Sequence, residues 1–295
     1  MRARAAFHGL ALGDALGATV EFLLPHEIRA LHGVHREVVG GGWLRLRPGA
    51  VTDDTELSLC VARALVERGE LSRRAIAERF AAWLTGRPTD VGNTCRRGIR
   101  SYLLDGTLEV PPSAGDAGNG AAMRMLPVAL FTLGDDALLA RCAVAQAHLT
   151  HHHPLSDAAC LLLGRLVHAA CRGEPLAALR ALVGRTVAEH PAFRFEPYPG
   201  LASGYVVDTL QTVFHHLFST RSFEETLVAT VNQGGDADTT GAIAGMIAGA
   251  LHGPAGLPPR WLRRLDPRLL AELAALADGL VDLSPLAVRQ RAPSP

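Results

Sequence analysis

The sequence predicts an all-α fold, a compact single-domain helical bundle, and three observations carry that prediction. Apolar residues recur at spacings of three and four through most of the chain, as at Leu57, Val61, Ala64 and Leu65. Alternation with a period of two, the mark of a half-buried strand, is scarce. Glycine and proline gather in four short stretches, Val39 to Gly49, Val110 to Gly118, Pro191 to Gly200 and Gly253 to Pro259, which punctuate the helical pattern without the length of a linker. A chain of 295 residues buries about three quarters of the surface it exposes unfolded, so a large core needs no staples.

Taken in order, the first helix is expected at about residues 3–17. Arg2 and Arg4 before an Ala/Leu-rich run look like a signal peptide, but His8 and Asp14 interrupt the run, which therefore reads as buried helix. Further helices are expected at about 54–69, 72–85, 92–104, 119–133, 135–148, 155–172, 175–189, 202–218, 222–232, 238–251 and 267–282. Glycines stand four apart on the first helix (Gly9, Gly13, Gly17) and on the one near the end (Gly241, Gly245, Gly249). Each glycine inside a helix costs roughly 1 kcal/mol against alanine, so two such stripes predict that these helices pack closely on each other. The acids beside them would then meet. The expected domain covers residues 1–288, followed by a disordered tail over 289–295.

Charge and composition exclude several functions. The 29 basic and 29 acidic residues balance and only 5% of residues are aromatic, which argues against a nucleic-acid groove but not against a small anionic ligand. Lysine is absent, so there is no Schiff-base lysine and no P-loop. The five cysteines (Cys60, Cys95, Cys142, Cys160, Cys171) form no C-x-x-C pair and read as free thiols in a reducing cytosol. No membrane span is expected, because the apolar run from Thr239 to Leu251 is shorter than the ~20 residues a bilayer requires.

Two acidic clusters carry most of the chemistry: Thr52-Asp53-Asp54-Thr55-Glu56, and Gly234-Gly235-Asp236-Ala237-Asp238-Thr239-Thr240. Each begins a predicted helix, and each alone reads as a cap, Asp53 with Glu56 fitting a capping pattern. Adjacent carboxylates repel, however, and one cap needs only one of them. Together, hard oxygen ligands without a Cys/His set suit two Mn²⁺ or Mg²⁺ ions, with the Thr52 and Thr239 hydroxyls completing the shells. Glu21, after the first helix, is either a surface residue at a bend or a site acid. Asp90 stands where a helix N-cap would and is otherwise a candidate proton carrier. The Gly115-Asp116-Ala117-Gly118-Asn119-Gly120 turn leads into a predicted helix, as phosphate-binding turns do. In His151-His152-His153, at most one ring is expected to face a site.

The motifs together resemble the ADP-ribosylglycohydrolases. The resemblance covers nearly the whole chain and runs through Gly13 to Gly17 with Glu21, Val51 to Glu56, Gly118 to Arg124 and Asn232 to Gly241. Finer features, Gly40 to Gly49, Arg87 to Gly98, Leu155 to Cys160 and Phe195 to Tyr198, are similar to the branch that acts on dinitrogenase reductase. The resemblance implies an all-α fold, a binuclear Mn²⁺ or Mg²⁺ centre and hydrolysis of the N-glycosidic bond between ADP-ribose and an arginine of that nitrogenase iron protein. It assigns Thr52, Asp53, Asp54, Asp236, Asp238 and Thr239 to the metal centre and Asp90 to catalysis, with Glu21 as a second catalytic candidate. It assigns Asn93, Thr94, Cys95, Gly118, Asn119, Gly120, His151 and Tyr205 to holding ADP-ribose. It further implies a cytoplasmic protein that reaches a membrane only through partners, and control by a PII-type signalling protein. Relatives of the branch carry an acid where this chain has Ala114.

Three rival readings stand beside this one. Another ADP-ribosyl linkage or substrate is the nearest. Asp53-Asp54-Thr55-Glu56 also suits a Mg²⁺-dependent isoprenoid synthase, but such enzymes need a further acid beyond the second cluster, where Gly241, Ala242, Ile243 and Ala244 stand. A non-catalytic ADP-ribose-binding module would lack a metal carboxylate, and none is lacking.

Overall fold

A computed structural model of the protein describes residues 1–291. The chain opens with α1 (Arg2–Gly17), turns through Glu21 into α2 (Pro25–His32), and crosses the glycine-rich loop to α3 (Asp53–Arg68), α4 (Arg73–Thr85) and α5 (Asn93–Asp105). A long irregular segment leads to α6 (Leu126–Phe131), α7 (Asp136–Ala147), α8 (Pro154–Cys171) and α9 (Leu176–Glu189). After a second one come α10 (Val206–Ser219), α11 (Phe223–Val231), α12 (Ala237–His252), α13 (Pro259–Leu262), α14 (Pro267–Leu283) and α15 (Pro285–Arg291). Among the described residues the β-structure is confined to two isolated bridges, Gly41 with Leu46 and Gly118 with Tyr205. The all-α prediction holds.

Helices α1 and α12 form the central pair, antiparallel and almost wholly buried. A Cβ placed on Gly13 would lie 1.9 Å from the Gly241 carbonyl oxygen, one on Gly9 2.2 Å from that of Gly245, and one on Gly249 2.3 Å from that of Ala5. Each distance is shorter than any real carbon–oxygen contact. The glycine stripes therefore face each other as predicted, and what they obtain for their helix-propensity cost is backbone contact. Helices α8, α10 and α11 pack on α12, while α3 and α14 pack against α1. One core cluster runs through all of these elements. All five cysteines are free, and no helix among the described residues is long and apolar enough to cross a membrane.

Several helix boundaries differ from expectation. The helix predicted at 119–133 is confined to Leu126–Phe131; residues 120–124 make turns, because Asn119 is tied sideways through its N–H to the Gly204 carbonyl at 3.1 Å. Helix α10 starts at Val206 rather than near residue 202, since the Ala202 and Gly204 carbonyls are taken by the Asp236 N–H at 2.7 Å and by Asn119. Helices α2 and α13 lie in stretches read as irregular: α2 buries Ile28 alone and α13 has 4 residues, too little for periodicity to register. At the end, Arg289 to Arg291 belong to α15 instead of the expected tail, and residues 292–295 lie outside the described residues.

Candidate active site

The central helix pair sets the site. A Cβ on Gly17 would stand 2.1 Å from the Ala237 carbonyl oxygen, so the C-terminal end of α1 meets the N-terminal end of α12. Here the fully buried Asp14 reaches across to α3. Its carboxylate accepts the Thr52 N–H at 3.0 Å, the Thr52 hydroxyl at 2.9 Å, the Thr55 N–H at 3.1 Å and the Thr55 hydroxyl at 2.5 Å. Helix α3 is thus capped from another helix. Burial pushes the Asp14 carboxyl up to about 6 against these bonds.

The capping pattern expected of Asp53 and Glu56 is therefore absent. Thr52 occupies the N-cap without a side-chain cap bond, and Glu56 instead accepts the Trp83 indole N–H at 2.6 Å. Asp53 accepts the Gly92 N–H at 3.1 Å. Asp54 Oδ2 accepts the Thr239 hydroxyl at 3.4 Å and lies 3.2 Å from the Thr52 hydroxyl, while its buried Oδ1 has no partner. Asp238 Oδ1 accepts the Thr239 N–H at 2.9 Å, and its Oδ2 lies 3.5 Å from the Thr52 hydroxyl. The two acidic clusters are one.

Gly234 and Gly235 hold the rest of the cluster in place, with φ of +66° and +61° that favour glycine. Cβ atoms there would strike the Leu23 and Ala202 carbonyl oxygens at 1.8 and 2.0 Å. In return the Phe22 N–H donates to the Gly235 carbonyl at 2.6 Å, fixing the Glu21 segment beside Asp236. Carboxylate oxygens of Glu21, Asp236 and Asp238 lie within 4.8 Å of one another. Glu21 accepts the Trp43 indole N–H at 2.6 Å, and Asp236 accepts the Asn119 amide at 2.7 Å. Crowding is visible in the acidities: burial, then Asp90, push Asp53 up to about 7, and burial pushes Glu21 up to about 8 despite the Trp43 bond. Burial and neighbouring carboxylates raise Asp54 and Asp238 well above the usual range.

This cluster floors a cleft of about 800 Å³. Glu21, Asp53, Asp90, Asp236, Asp238 and Thr239 line it, with Asn93, Thr94, Cys95, Gly118, Asn119, Gly120 and His151 around them. Thr52 and Asp54 lie behind the floor, and Tyr205 stands outside the lining with its backbone bridged to Gly118. Asp90 caps nothing: α5 begins at Asn93 after Gly92, and Asp90 Oδ1 accepts only the adjacent Val91 N–H, at 2.7 Å. Of the three histidines, His151 alone lines the cleft; burial, Arg124 and Arg97 keep it well below its usual range and so neutral. His152 bonds the Val110 carbonyl at 2.6 Å, and His153 accepts the Leu155 N–H at 3.1 Å.

Two contributors were not singled out from sequence. Asp14 carried a usable signal, an acid beside a close-contact glycine in an otherwise apolar helix. Trp43 stood inside the branch-like stretch Gly40 to Gly49, but nothing local paired it with Glu21, 22 positions away across a loop.

The family model of the ADP-ribosylglycohydrolases matches residues 1–290. The chain belongs to the ADP-ribosylglycohydrolase family. It is 56% identical to the ADP-ribosyl-[dinitrogen reductase] glycohydrolase of Rhodospirillum rubrum over 97% of both chains. It is 33% identical to the ADP-ribosylarginine hydrolase Tri1 of Pseudomonas putida, over 96% of this chain and 79% of that one. A solved ADP-ribosylglycohydrolase-related protein complex superimposes with a TM-score of 0.85 at 37% identity, over 96% of this chain and 97% of its own. The isoprenoid-synthase alternative lapses, since Gly241 to Ala244 are buried and Gly241 packs on Gly13. Ala114 does not line the cleft of this ADP-ribosylglycohydrolase.

The residues fit a hard divalent cation. The donor set consists of carboxylate and hydroxyl oxygens, and the partnerless buried Oδ1 of Asp54 is left for a cation to satisfy. The raised pKa values of Asp54 and Asp238 say that this many carboxylates are not comfortably ionised together without one.

Proposed function

We propose that this protein is a metal-dependent hydrolase, with residues 1–288 as its domain, that cleaves the N-glycosidic bond between ADP-ribose and an arginine side chain of dinitrogenase reductase. The observation that carries the reading is the meeting of both acidic clusters with Glu21 and Asp90 in one cleft that also holds the Gly118–Gly120 turn and His151. The likeness to the R. rubrum enzyme supports the substrate.

Thr52, Asp53, Asp54, Asp236, Asp238 and Thr239 would hold two Mn²⁺ or Mg²⁺ ions. Bound there, such ions supply Lewis acidity toward ribose hydroxyls and water. The remaining steps belong to the chain. Gly118 to Gly120 and Asn93 to Cys95 hold the nucleotide, and neutral His151 packs beside them. Tyr205 borders this end through its bridge to Gly118. As the C1–N bond breaks, the guanidine nitrogen keeps the electron pair and C1 passes through an oxocarbenium-like state, as in glycoside hydrolysis. Asp90 takes the proton of the water that attacks C1 and returns it to the leaving guanidine. Glu21, oriented by Trp43, faces Asp236 and Asp238 and orders the ribose end of the cleft.

Incubating ADP-ribosylated dinitrogenase reductase with the protein and Mn²⁺ should release free ADP-ribose. Exhaustive chelation should stop release, and Mn²⁺ or Mg²⁺ should restore it better than Zn²⁺. Undiminished release in excess chelator would overturn the metal requirement. Faster cleavage of O-linked ADP-ribosylserine than of ADP-ribosylarginine would overturn the linkage.

A further inference from the structure

We infer that the buried guanidinium of Arg124 is the fixed counter-charge for the diphosphate of the ligand, acting through the cleft wall formed by Cys95, Gly120 and His151. The inference rests on the reading of the cleft as an ADP-ribose site.

Arg124 is completely buried, which an arginine almost never is without a carboxylate partner. Its hydrogen bonds all go to neutral groups. Nε donates to Gln146 Oε1 at 2.9 Å, Nη1 to the Gly120 carbonyl at 3.0 Å and to Cys95 Sγ at 3.5 Å, and Nη2 to the Gln146 carbonyl at 3.1 Å and the Thr150 hydroxyl at 2.8 Å. Its carbon end lies over the Phe80 ring, 4.9 Å from the centroid. The described ion pairs of the other arginines, by contrast, join partly exposed side chains or, at Asp116, an exposed arginine to a buried acid. The donors of Arg124 are satisfied by neutral groups, and Asp53 of the cleft floor acts on its charge only through space, without a hydrogen bond.

The position of that charge says what would balance it. Gly120 and Cys95, two of its partners, line the cleft, and a third, Thr150, bonds His151 Nδ1 at 2.7 Å. The guanidinium thus lies one residue behind the wall, fully buried, where solvent screens it little. Under the proposed function Asp53 would be taken up by a bound cation, which leaves Arg124 without that acid. A diphosphate lying along the Gly118–Gly120 turn would bring the missing negative charge with the ligand. Arg124 is on this account a positioning residue, and it also pins the Gly120 carbonyl so that the turn keeps its shape.

Two variants separate charge from packing. Arg124→Gln removes the charge; Gln146→Glu leaves Arg124 in place and supplies a carboxylate where Gln146 Oε1 now sits. Calorimetric titrations of each full-length variant with ADP-ribose, adenosine and Mn²⁺ give the readout. In both variants ADP-ribose affinity should fall at least ~10-fold, adenosine affinity should change by less than ~2-fold, and Mn²⁺ affinity should hold or rise. A purely structural role would weaken all three ligands together in Arg124→Gln. Unchanged ADP-ribose affinity in a folded Gln146→Glu protein, or equal losses for ADP-ribose and adenosine, would overturn the inference. Should Arg124→Gln fail to fold, Gln146→Glu decides alone; should that fail too, the less disruptive Arg124→Lys must hold ADP-ribose affinity within ~10-fold, and a larger loss overturns the inference. If the unaltered protein binds no ADP-ribose, the proposed function falls and takes the inference with it.

Discussion

Asp90 is a half-buried carboxylate on the cleft wall, its Oδ1 accepting the Val91 N–H at 2.7 Å, and burial raises its pKa above the ordinary value. Since it caps no helix, replacing it should leave the fold intact. Asp90→Asn keeps the shape of the side chain and can still accept the Val91 N–H, but it cannot carry a proton. The variant should melt within about a degree or two of the unaltered protein and turn substrate over at least ~100-fold more slowly in a single-turnover measurement. A near-normal rate would remove Asp90 from the chemistry. At this scale the sequence was legible wherever one residue type has few uses. Paired carboxylates at two helix starts announced a cation site, and the structure unites them. The exchange of roles between Asp14 and Glu56 was hidden, because capping from a distant helix leaves no local pattern, and Glu56 stood at the expected capping position while bonding Trp83 instead.

Among the elements, α1 and α12 were the most legible, because glycine inside a helix is unfavourable enough to demand a reason and close approach is the usual one. The register then followed from the four-residue spacing. Elements set by tertiary bonds were not legible: the turn from 120 to 124 and the extended segment before α10 have helical composition but are held open by Asn119 and Asp236. Opposite effects of one substitution at two glycines test the pairing. Gly184 in α9 is exposed, and a Cβ there would meet nothing within 4 Å, so Gly184→Ala should stabilise by up to ~1 kcal/mol through helix propensity. Gly13→Ala gains the same propensity but forces a Cβ to 1.9 Å from the Gly241 carbonyl oxygen, and backbone cannot rotate away. A net loss of ~1–3 kcal/mol is expected from overpacking, with weaker Mn²⁺ binding as Asp14 and Asp238 are drawn apart. Denaturant midpoints and Mn²⁺ titrations check both. Equal stabilisation by the two variants would mean that α1 and α12 are not in contact.

The whole molecule stores a strong electrostatic tension at one end of its central helix pair, and bound cations should decide its stability. In the metal-free protein Asp14, Asp53 and Glu21 are raised to about 6, 7 and 8, whereas in the unfolded chain they return to ordinary values near 4. The folded state therefore binds more protons than the unfolded one between these limits. By linkage, stability from these groups is fully present below about pH 4 and is lost as pH rises through 6 to 8, by about 1.4 kcal/mol per pH unit for each excess proton. Carboxylates that their arginine partners hold below ordinary values, such as Glu67 and Asp136, are ionised in both states here, but the histidines that burial lowers, among them His35, His151, His168 and His216, take up protons only on unfolding and add a slope of opposite sign up to about pH 7. Above that pH the carboxylates act with little opposition, so chelated protein should melt at lower temperature at pH 8 than at pH 7. Cations invert the sign, since they bind the deprotonated cluster and must compete with protons, so Mn²⁺ affinity should rise with pH and the stabilisation it gives should be largest at pH 8. Melting curves at pH 6, 7 and 8, each with excess chelator and with Mn²⁺, measure both slopes. The expected result is a fall from pH 7 to pH 8 without metal and a widening gap with it. A gap that narrows toward pH 8 would mean that the cluster is ionised before any cation arrives, and the crowding of Asp54, Asp238 and Glu21 would then require a different balancing charge.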